Sequence, residues 1–409
     1  MMDRRLRVAV FARIMPEHGA GGMQIIAEQI FTALGAVGHD VELFTTDRPD
    51  QSAAEEIVER NSIRVHYLRT GAPGRYSRAW FRALDRAFVA AHQRQPFDVL
   101  VSVSAAARGL LARWRRADIR TPSAVLTFGT HLDELRASLH SIRGDPSFSG
   151  IVEGVARAGH TMYRAVRDIP FMRSPDAFIV PCPAERVKIS RMFFYPADRI
   201  VVIPYGVSSE LIQRLTEAVD PGSDQITVVA RLERDKGVQI ALGAMREVVK
   251  RVPNARLRIV GDGSYRRELE ALADAYGLAD RVEFTGILPF ERIADGYAGS
   301  AVVLNPRLRP TAYDHAMVVG MGTGVPLITT DLGDTAFVAE PGREALFVKA
   351  GDERALAAAI VSCLTDRARS CAVGAAGLAA IRRRFTMEAT VANYSEFLTT
   401  LAERHALLV

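Results

Sequence analysis

Two positively charged side chains follow a strongly apolar run in the second half of the chain. Ile226–Ala230 contains small or β-branched residues without polar alternation, which is typical of a parallel strand covered on both faces. Arg231 and Lys236 lie in the loop beyond this predicted strand, before a helix predicted over Val238–Arg251. Open α/β sheets bind ligands at the carboxyl ends of their strands, where helix amino termini carry partial positive charge. The pattern favours an anion site suited to a diphosphate, and a loop of merely solvated cations is the alternative.

A second loop with the composition of a ligand site lies near the amino terminus. Leu6–Ala12 is predicted to be a buried strand, and a helix is predicted from Met23 to about Val37. Gly21 and Gly22 lie between them and would let the backbone approach a ligand closely. The spacing is not that of the G-x-G-x-x-G dinucleotide motif, so a plain tight turn fits equally well.

A histidine follows another predicted strand. His131 comes just after Ser123–Phe128 and the small residues Gly129 and Thr130. Because site residues collect at the carboxyl ends of strands, this position favours a functional role for His131. A purely structural histidine is the competing interpretation.

The bulk composition limits the class of protein. A chain of 409 residues exceeds one hydrophobic core, so two domains are expected, and 48% hydrophobic with 24% charged residues is typical of a soluble globular protein. The three cysteines show no metal-binding spacing, which fits a reducing compartment, and no secretory signal or membrane span is apparent. We therefore predict a cytoplasmic location. The net charge of +5 favours anionic ligands without requiring nucleic acid.

The order of predicted elements defines the fold class. Strands and helices alternate in two blocks, which predicts an α/β protein with two doubly wound Rossmann-like domains facing a cleft. The predicted boundaries are residues 1–207 for an acceptor-side domain, 208–224 for an irregular linker and 225–385 for a donor-binding domain. Residues 386–409 form a final amphipathic helix that could pack back on the first domain.

One predicted helix, Tyr76–Arg94, is basic and amphipathic. Its apolar positions and its arginines each recur every four residues: Trp80, Leu84 and Phe88, and Arg78, Arg82 and Arg86. Such a helix could lie on an anionic membrane surface, or it could be a core helix whose arginines reach water. We favour the core helix, so membrane contact is possible but not favoured.

The ordered set of segments resembles the retaining glycosyltransferases of family 4, which have the two-Rossmann GT-B architecture. The matching segments are the glycine loop Gly19–Gly22, Thr127–His131, Ser174–Pro181, Ile203–Val207, Ala230–Gly237, Ile259–Gly263 and Gly324–Pro326. The resemblance implies transfer of a glycosyl group, with retention at the anomeric carbon, from a nucleotide diphosphate sugar. It implies neither a cofactor nor a metal.

The resemblance also assigns roles to individual residues. Arg231 and Lys236 match the family's diphosphate clamp, where fixed cations would stabilise the negative charge that grows on the leaving phosphate. His131 matches a position that faces the sugar or the acceptor. The donor-binding set that the resemblance implies consists of Gly21, Gly22, Arg231, Lys236, Gly261, Thr311, Tyr313, Asp314 and His315.

One part of the family pattern is missing. The family has two glutamates eight positions apart before its Gly-x-Pro strand, and counting back from Gly324–Pro326 places Thr311 and Val319 there. In the family the first glutamate contacts the donor sugar and the second holds the ribose, and valine cannot accept hydrogen bonds from ribose hydroxyls. Asp314 could replace the first carboxylate after a small loop shift.

The same loop carries extra cationic groups, Arg307, Arg309 and His315. They favour a donor with more negative charge or a nucleotide held differently, and solvated arginines on a surface turn are the alternative.

Three functions remain open from the sequence. The first is transfer to a soluble small-molecule or glycan acceptor, for example a specialised metabolite. The second is transfer to a lipid-linked or envelope acceptor. The third is a non-catalytic protein that binds a sugar nucleotide on the same scaffold, because fold alone does not fix function.

Overall fold

The computed structural model describes residues 4–19, 22–49, 55–128, 156, 159–163, 166, 169–310 and 313–406. It divides into two compact units, one formed by Met1–Ile203 with Val391–Val409 and the other by Pro204–Thr390. Three residues predicted to act in a site, Gly21, His131 and Thr311, lie outside the described residues.

The amino-terminal unit contains an eight-stranded sheet with the order β3-β4-β2-β1-β5-β6-β7-β8. All neighbouring strands are parallel except the antiparallel pair β3 and β4. The strands are β1 (Arg7–Phe11), β2 (Asp40–Thr46), β3 (Glu56–Arg60), β4 (Ile63–Leu68), β5 (Val99–Val103), β6 (Ser123–Leu126), β7 (Ala177–Val180) and β8 (Ile200–Val202). The helices are α1 (Gly22–Ala36), α2 (Arg78–Arg94), α3 (Leu110–Arg116) and α4 (Pro183–Phe193).

The second unit contains a fully parallel six-stranded sheet with the order β11-β10-β9-β12-β13-β14. Its strands are β9 (Gln225–Val229), β10 (Arg256–Val260), β11 (Val282–Gly286), β12 (Ser300–Asn305), β13 (Leu327–Thr330) and β14 (Leu346–Val348). Its helices are α5 (Ser209–Ala218), α6 (Val238–Arg251), α7 (Arg266–Ala275), α8 (Ile293–Gly296), α9 (His315–Met321), α10 (Thr335–Val338), α11 (Glu353–Thr365) and α12 (Arg367–Arg384). The two sheets confirm the predicted class of two doubly wound α/β domains.

The last helix, α13 (Met387–Ala406), begins in the second unit, and from Val391 onward it belongs to the amino-terminal unit. Within that unit the Nε2 atom of His39 lies 2.6 Å from the hydroxyl of Ser395. Leu398 on the same helix is fully buried. The prediction that the final helix packs on the first domain is therefore confirmed.

The prediction of an irregular linker over residues 208–224 is wrong. Ser208 caps helix α5 by accepting a hydrogen bond from the backbone N–H of Leu211 at 3.2 Å. Leu211, Ile212 and Leu215 are buried in the core of the second unit. These apolar side chains make the segment part of that unit, and the division between the units falls earlier, at Ile203 and Pro204.

Helix α2 is a core helix, which was the preferred interpretation of its sequence. Trp80, Leu84 and Phe88 have no exposed surface and pack against β1, β5 and α3 in one apolar cluster. The arginines recurring between them, Arg78, Arg82 and Arg86, are exposed. Within the described part of the chain, no helix is both long and apolar enough to cross a membrane.

A buried carboxylate ties three strands of the amino-terminal sheet together. Glu42 on β2 accepts hydrogen bonds from Arg7 on β1, from Arg64 at 2.7 Å and from His66 at 2.7 Å, the last two on β4. Burial alone would raise the pKa of Glu42, but the hydrogen bonds from His66 and Arg7 and the charge of Arg7 outweigh it. They lower the pKa from 4.5 to about 2.

We expect Glu42→Gln to lower the free energy of unfolding by about 2–4 kcal/mol at pH 7. A carboxylate whose folded pKa is depressed stabilises the fold above its unfolded pKa, and that stability is lost as the pH falls toward the folded value. The difference between variant and wild type should therefore shrink as the pH drops below about 4.5 toward 2. Urea unfolding between pH 7 and pH 3 measures it.

Glu59→Gln is the matched control, because Glu59 pairs with the same Arg64 but has a side chain that is 73% exposed. It should change stability by no more than about 0.5 kcal/mol. An effect of Glu42→Gln as small as that of the control, or one independent of pH, would contradict the assigned role.

Candidate functional site

Strand β9 occupies the position in the second sheet where the strand order reverses. It pairs with β10 on one side and β12 on the other, so that Val228 lies beside both Ile259 and Leu304. The chain builds outward from β9 through β10 to β11, and then from β12 to β14 in the opposite direction. Such a reversal opens a crevice above the carboxyl ends of the strands, where open α/β sheets bind ligands.

The loops after β9 and β12 are packed directly against each other. The backbone N–H of Leu308 donates to the carbonyl of Asp235 at 2.9 Å. Gly237 has a φ of 71°, and a Cβ added there would lie 1.8 Å from the carbonyl oxygen of Pro306. Only glycine tolerates both the conformation and the close approach. Gly237 therefore fixes the distance between the two loops as well as the start of helix α6.

The loop after β10 closes against the same place. A Cβ on Gly261 would lie 1.9 Å from the carbonyl oxygen of Ala230, the residue that precedes Arg231. The backbone N–H of Leu232 donates to the carbonyl of Asp262 at 2.9 Å. The structure thus brings the predicted residue Gly261 to the base of the loop that carries Arg231.

Arg231 and Lys236 both lie on this fixed loop. Arg231 is exposed and Lys236 is half-buried, and neither forms an ion pair with any acidic residue that the structure describes. Burial lowers the pKa of Lys236, and the charges of Arg307 and Arg231 act in the same direction, while Asp314 opposes them. Two neighbouring cations that form no ion pair with a described acid are candidates for binding an anion.

The predicted residue Asp314 has a different set of partners. Its Oδ2 accepts hydrogen bonds from the amide of Asn305 at 2.6 Å and from the guanidinium of Arg307 at 2.6 Å. Its Oδ1 accepts from the backbone N–H of Ala316 at 3.2 Å and so caps helix α9. Burial would raise the pKa of Asp314, but the charge of Arg307 and the hydrogen bond from Asn305 outweigh it and lower the pKa to about 2.

Asp314 therefore acts as an anchor for the loop after β12. Its carboxylate neutralises Arg307, whose side chain is only 9% exposed, and its negative charge partly compensates Lys236. The residue types of this loop indicate its charge but do not indicate the contacts of Asp314 with Asn305 and Arg307. Three polar residues within ten positions are a signal for such a cluster, but the loop conformation decides which of them meet.

His315 begins helix α9 beside this anchor. Its Nδ1 atom is buried and has no hydrogen-bond partner among the described residues. Burial lowers the pKa of His315 to about 4, although the charge of Asp314 opposes the shift. The imidazole is neutral at pH 7 and adds no positive charge, contrary to the sequence-based expectation for this side chain.

The side chain of Tyr313 contacts Tyr205 within the second unit. Its hydroxyl donates to the carbonyl of Tyr205 at 2.7 Å, and its ring packs edge-on against the ring of Tyr205. Val319 is 4% exposed and packs in the apolar core, so no carboxylate stands at that position. A donor-binding role for Tyr313 stays a prediction, and its ring is placed to support the loop.

The predicted glycine loop of the amino-terminal unit is described only in part. Gly22 is the first residue of α1, is exposed, and has open space where a Cβ would lie. The roles of Gly21, Gly22 and His131 stay predictions. Within the described residues, no three His, Cys, Asp or Glu side chains form a group that could hold a metal ion.

Comparisons with known proteins agree with this architecture. A family model described as glycosyl transferase 4-like domain matches residues 21–206, and one described as glycosyl transferases group 1 matches residues 223–366. The crystal structure of Anabaena Alr3699/HepE in complex with UDP-glucose has a TM-score of 0.67 at 17% identity, covering 97% of this chain and 100% of that one. This similarity shows the GT-B fold.

Two curated relatives extend the comparison. The lipopolysaccharide core biosynthesis glycosyltransferase LpsD of Rhizobium meliloti is 37% identical over 148 residues, which are 36% of this chain and 42% of that protein. Matches to several other relatives also span about half of their lengths. The D-inositol 3-phosphate glycosyltransferase of Xylanimonas cellulosilytica is 26% identical over 399 residues, covering 89% of this chain and 88% of that protein. The chain therefore belongs to the group 1 glycosyl transferases with a glycosyl transferase 4-like amino-terminal domain, the family that the sequence resembles.

Proposed function

We propose that the protein is a retaining glycosyltransferase that takes its sugar from a nucleotide diphosphate sugar. The observation that carries this proposal is the pair Arg231 and Lys236, which is fixed at the strand reversal and forms no ion pair with a described acidic residue. A diphosphate offers two adjacent anionic groups to these two cations. The guanidinium suits a forked contact with phosphate oxygens, and the ammonium suits a point contact.

The same contacts would assist the chemical step. When the glycosidic bond breaks, negative charge accumulates on the departing diphosphate. Cations already fixed in position stabilise that charge more in the transition state than in the ground state. The contacts of Gly237 with Pro306 and of Leu308 with Asp235 supply this fixed geometry, because they hold the cation-bearing loop against its neighbour.

The nucleoside would be held differently from the family pattern. Position 319 holds a buried valine, which has no oxygen atoms to accept hydrogen bonds from the ribose hydroxyls. Asp314 already shares its oxygens with Asn305, Arg307 and Ala316, so its capacity for further donors is reduced. We therefore infer that the phosphates contribute most of the donor affinity.

For the acceptor we propose a chemical class and no individual compound. Transfer to a soluble acceptor remains our first hypothesis from the sequence. The name of LpsD points to an envelope saccharide, and that of the Xylanimonas relative points to a phosphorylated cyclitol. These names favour a saccharide or cyclitol acceptor, either free or part of an envelope glycan. A protein that only binds sugar nucleotides would have affinity for the donor but would not transfer or hydrolyse it. That result would distinguish it from a transferase with either kind of acceptor.

We expect Arg231→Ala and Lys236→Ala each to weaken binding of the preferred nucleoside diphosphate by about tenfold or more. A hydrogen bond between charged groups contributes roughly 1.5–3 kcal/mol, and each substitution removes at least one. Hydrolysis of the donor sugar should fall at least as much, because the same contacts would act on the leaving group. Calorimetry with UDP, GDP and ADP identifies the nucleotide, and donor hydrolysis measures the rate.

Lys250→Ala provides the control, since Lys250 is an exposed cation of the same unit that pairs with the exposed Glu247. It should leave affinity and rate within about twofold. If both site variants kept wild-type affinity and rate, the assignment of the diphosphate site would be wrong.

We also expect the ribose hydroxyls to contribute little. Binding of the 2′-deoxy form of the preferred diphosphate should be within about threefold of the ribose form, because no carboxylate stands at 319 to form charge-assisted hydrogen bonds. Calorimetry with the two nucleotides makes the comparison. A penalty above about tenfold that disappears in Asp314→Asn would mean that Asp314 holds the ribose.

A further inference from the structure

Four side chains at the carboxyl edge of the amino-terminal sheet form a layered cluster, which we call the cation–aromatic stack. They are Arg13 after β1, Tyr76 and Phe81 after β4, and Arg108 after β5. The guanidinium carbon of Arg13 lies 4.3 Å from the centre of the Tyr76 ring. The rings of Tyr76 and Phe81 are nearly parallel with centres 6.0 Å apart, and Arg108 lies 5.3 Å from the Phe81 ring.

Hydrogen bonds to the last residue of strand β2 and to the residue after it hold the loop that carries Tyr76. Asp47 accepts hydrogen bonds from the hydroxyl of Thr70 at 2.7 Å and from the backbone N–H of Gly71 at 2.7 Å. The hydroxyl of Thr46 accepts from the backbone N–H of Gly74 at 2.7 Å. These bonds fix the loop between β4 and α2, so the stack is built in advance rather than formed by a mobile surface.

Arg13 is held in one orientation by this loop. One terminal nitrogen, Nη1, donates to the carbonyl of Gly74, and the guanidinium plane rests on Tyr76. The opposite edge of the guanidinium is formed by Nε and Nη2, and Nε is buried without a hydrogen-bond partner among the described residues. A buried donor without a partner is costly, and this edge has the fork geometry that matches two oxygens of a phosphate.

The charge around the stack is positive. Arg69 and Arg75 on the same loop and Arg78 at the start of α2 are exposed and form no ion pair with a described residue. Arg13 has no described acidic partner either. Two acids of this part of the unit form internal contacts. Asp47 binds the loop, and Glu17 accepts from Tyr67 and pairs with Arg60. This arrangement favours an anionic ligand.

We propose that the cation–aromatic stack binds a phosphate group carried by the acceptor, with the Nε and Nη2 edge of Arg13 as the fork. This inference rests on the proposed glycosyltransferase function and specifies the acceptor class as a phosphate-bearing sugar or cyclitol. The phosphate belongs either to a free sugar phosphate or to a lipid headgroup, and both present the same oxygens to Arg13.

The binding experiment uses full-length protein in which Arg231→Gln and Lys236→Gln remove anion binding at the donor site. Glucose 6-phosphate and myo-inositol 1-phosphate are titrated calorimetrically against glucose and myo-inositol, with inorganic phosphate as a further probe. At least one phosphorylated ring should bind about tenfold or more tightly than its neutral counterpart. Adding Arg13→Gln should remove that preference, and Arg13→Lys, which keeps the charge without the fork, should only partly retain it.

Arg86→Gln is the matched control, because it removes an exposed arginine from α2 away from the stack and should leave the preference within about twofold. The double variant Arg75→Gln/Arg78→Gln tests the surrounding charge if Arg13→Gln does not fold, and it should weaken the phosphorylated probe by several fold. No preference for any phosphorylated ring, or a preference unchanged in the Arg13 and Arg75/Arg78 variants, overturns the inference.

Vesicle flotation separates the two sources of phosphate. Binding to phosphatidylinositol vesicles but not to phosphatidylcholine vesicles, lost in Arg13→Gln, supports a headgroup, and binding of soluble probes alone supports a free sugar phosphate. Vesicle binding that survives in Arg13→Gln, with no soluble probe bound, counts against the site. Wild-type affinity for UDP, GDP and ADP reports on the donor site separately, so failure here and failure of the proposed function give different results.

Discussion

The close contact between the loops after β9 and β12 is the constraint on which the candidate donor site depends. A side chain at position 237 would overlap the carbonyl of Pro306, so glycine there sets how near the two loops can come. That distance places Lys236 near the anchored carboxylate of Asp314 and leaves Arg231 facing solvent on the same loop. The strand reversal at β9 then determines that these groups lie where an open α/β sheet has room for a ligand.

Charge is distributed unevenly within this site. The carboxylate of Asp314 accepts hydrogen bonds from Asn305, Arg307 and the start of α9, so its negative charge stabilises the protein's own loop. Neither Arg231 nor Lys236 forms an ion pair with a described acidic residue, and the negative charge of Asp314 compensates Lys236 only in part. In our proposal, one ion pair holds the loop together and two other cations remain for a ligand. The buried Val319 offers no carboxylate for the ribose, which is why the proposal assigns most of the donor affinity to the phosphates.

Much of the fold could be predicted from the sequence because parallel strands buried on both faces form continuous apolar runs. Strands β9 and β12 contain such runs, and they predict Arg231 and Lys236 at the carboxyl end of β9. Strand β10, with arginines at 256 and 258, is less apolar, and Gly261 follows it. Strand β3 was missed because it is an exposed edge strand of sequence EIVER, without an apolar run. Helix α5 was missed because its short apolar face lies among polar residues, although Ser208 at its start is a typical capping residue.

The electrostatic details could not be predicted in the same way. Residue types indicated a positive loop near Arg307, but its folding determines that Arg307 pairs with Asp314 and that burial keeps His315 neutral. The cation–aromatic stack brings together residues from three separate segments of the chain, and no spacing within one segment signals it. Contacts of this kind depend on sheet order, which places the ends of β1, β4 and β5 along one edge.

The central claim is that the cations at the strand reversal recognise a diphosphate. Calorimetric titration of the wild-type protein with a nucleoside, its monophosphate and its diphosphate tests it most directly, using whichever of uridine, guanosine or adenosine gives the tightest diphosphate. We predict that affinity rises by about tenfold or more between the monophosphate and the diphosphate, and that the nucleoside alone binds weakly. Equal affinities for the nucleoside and its diphosphate would contradict the account.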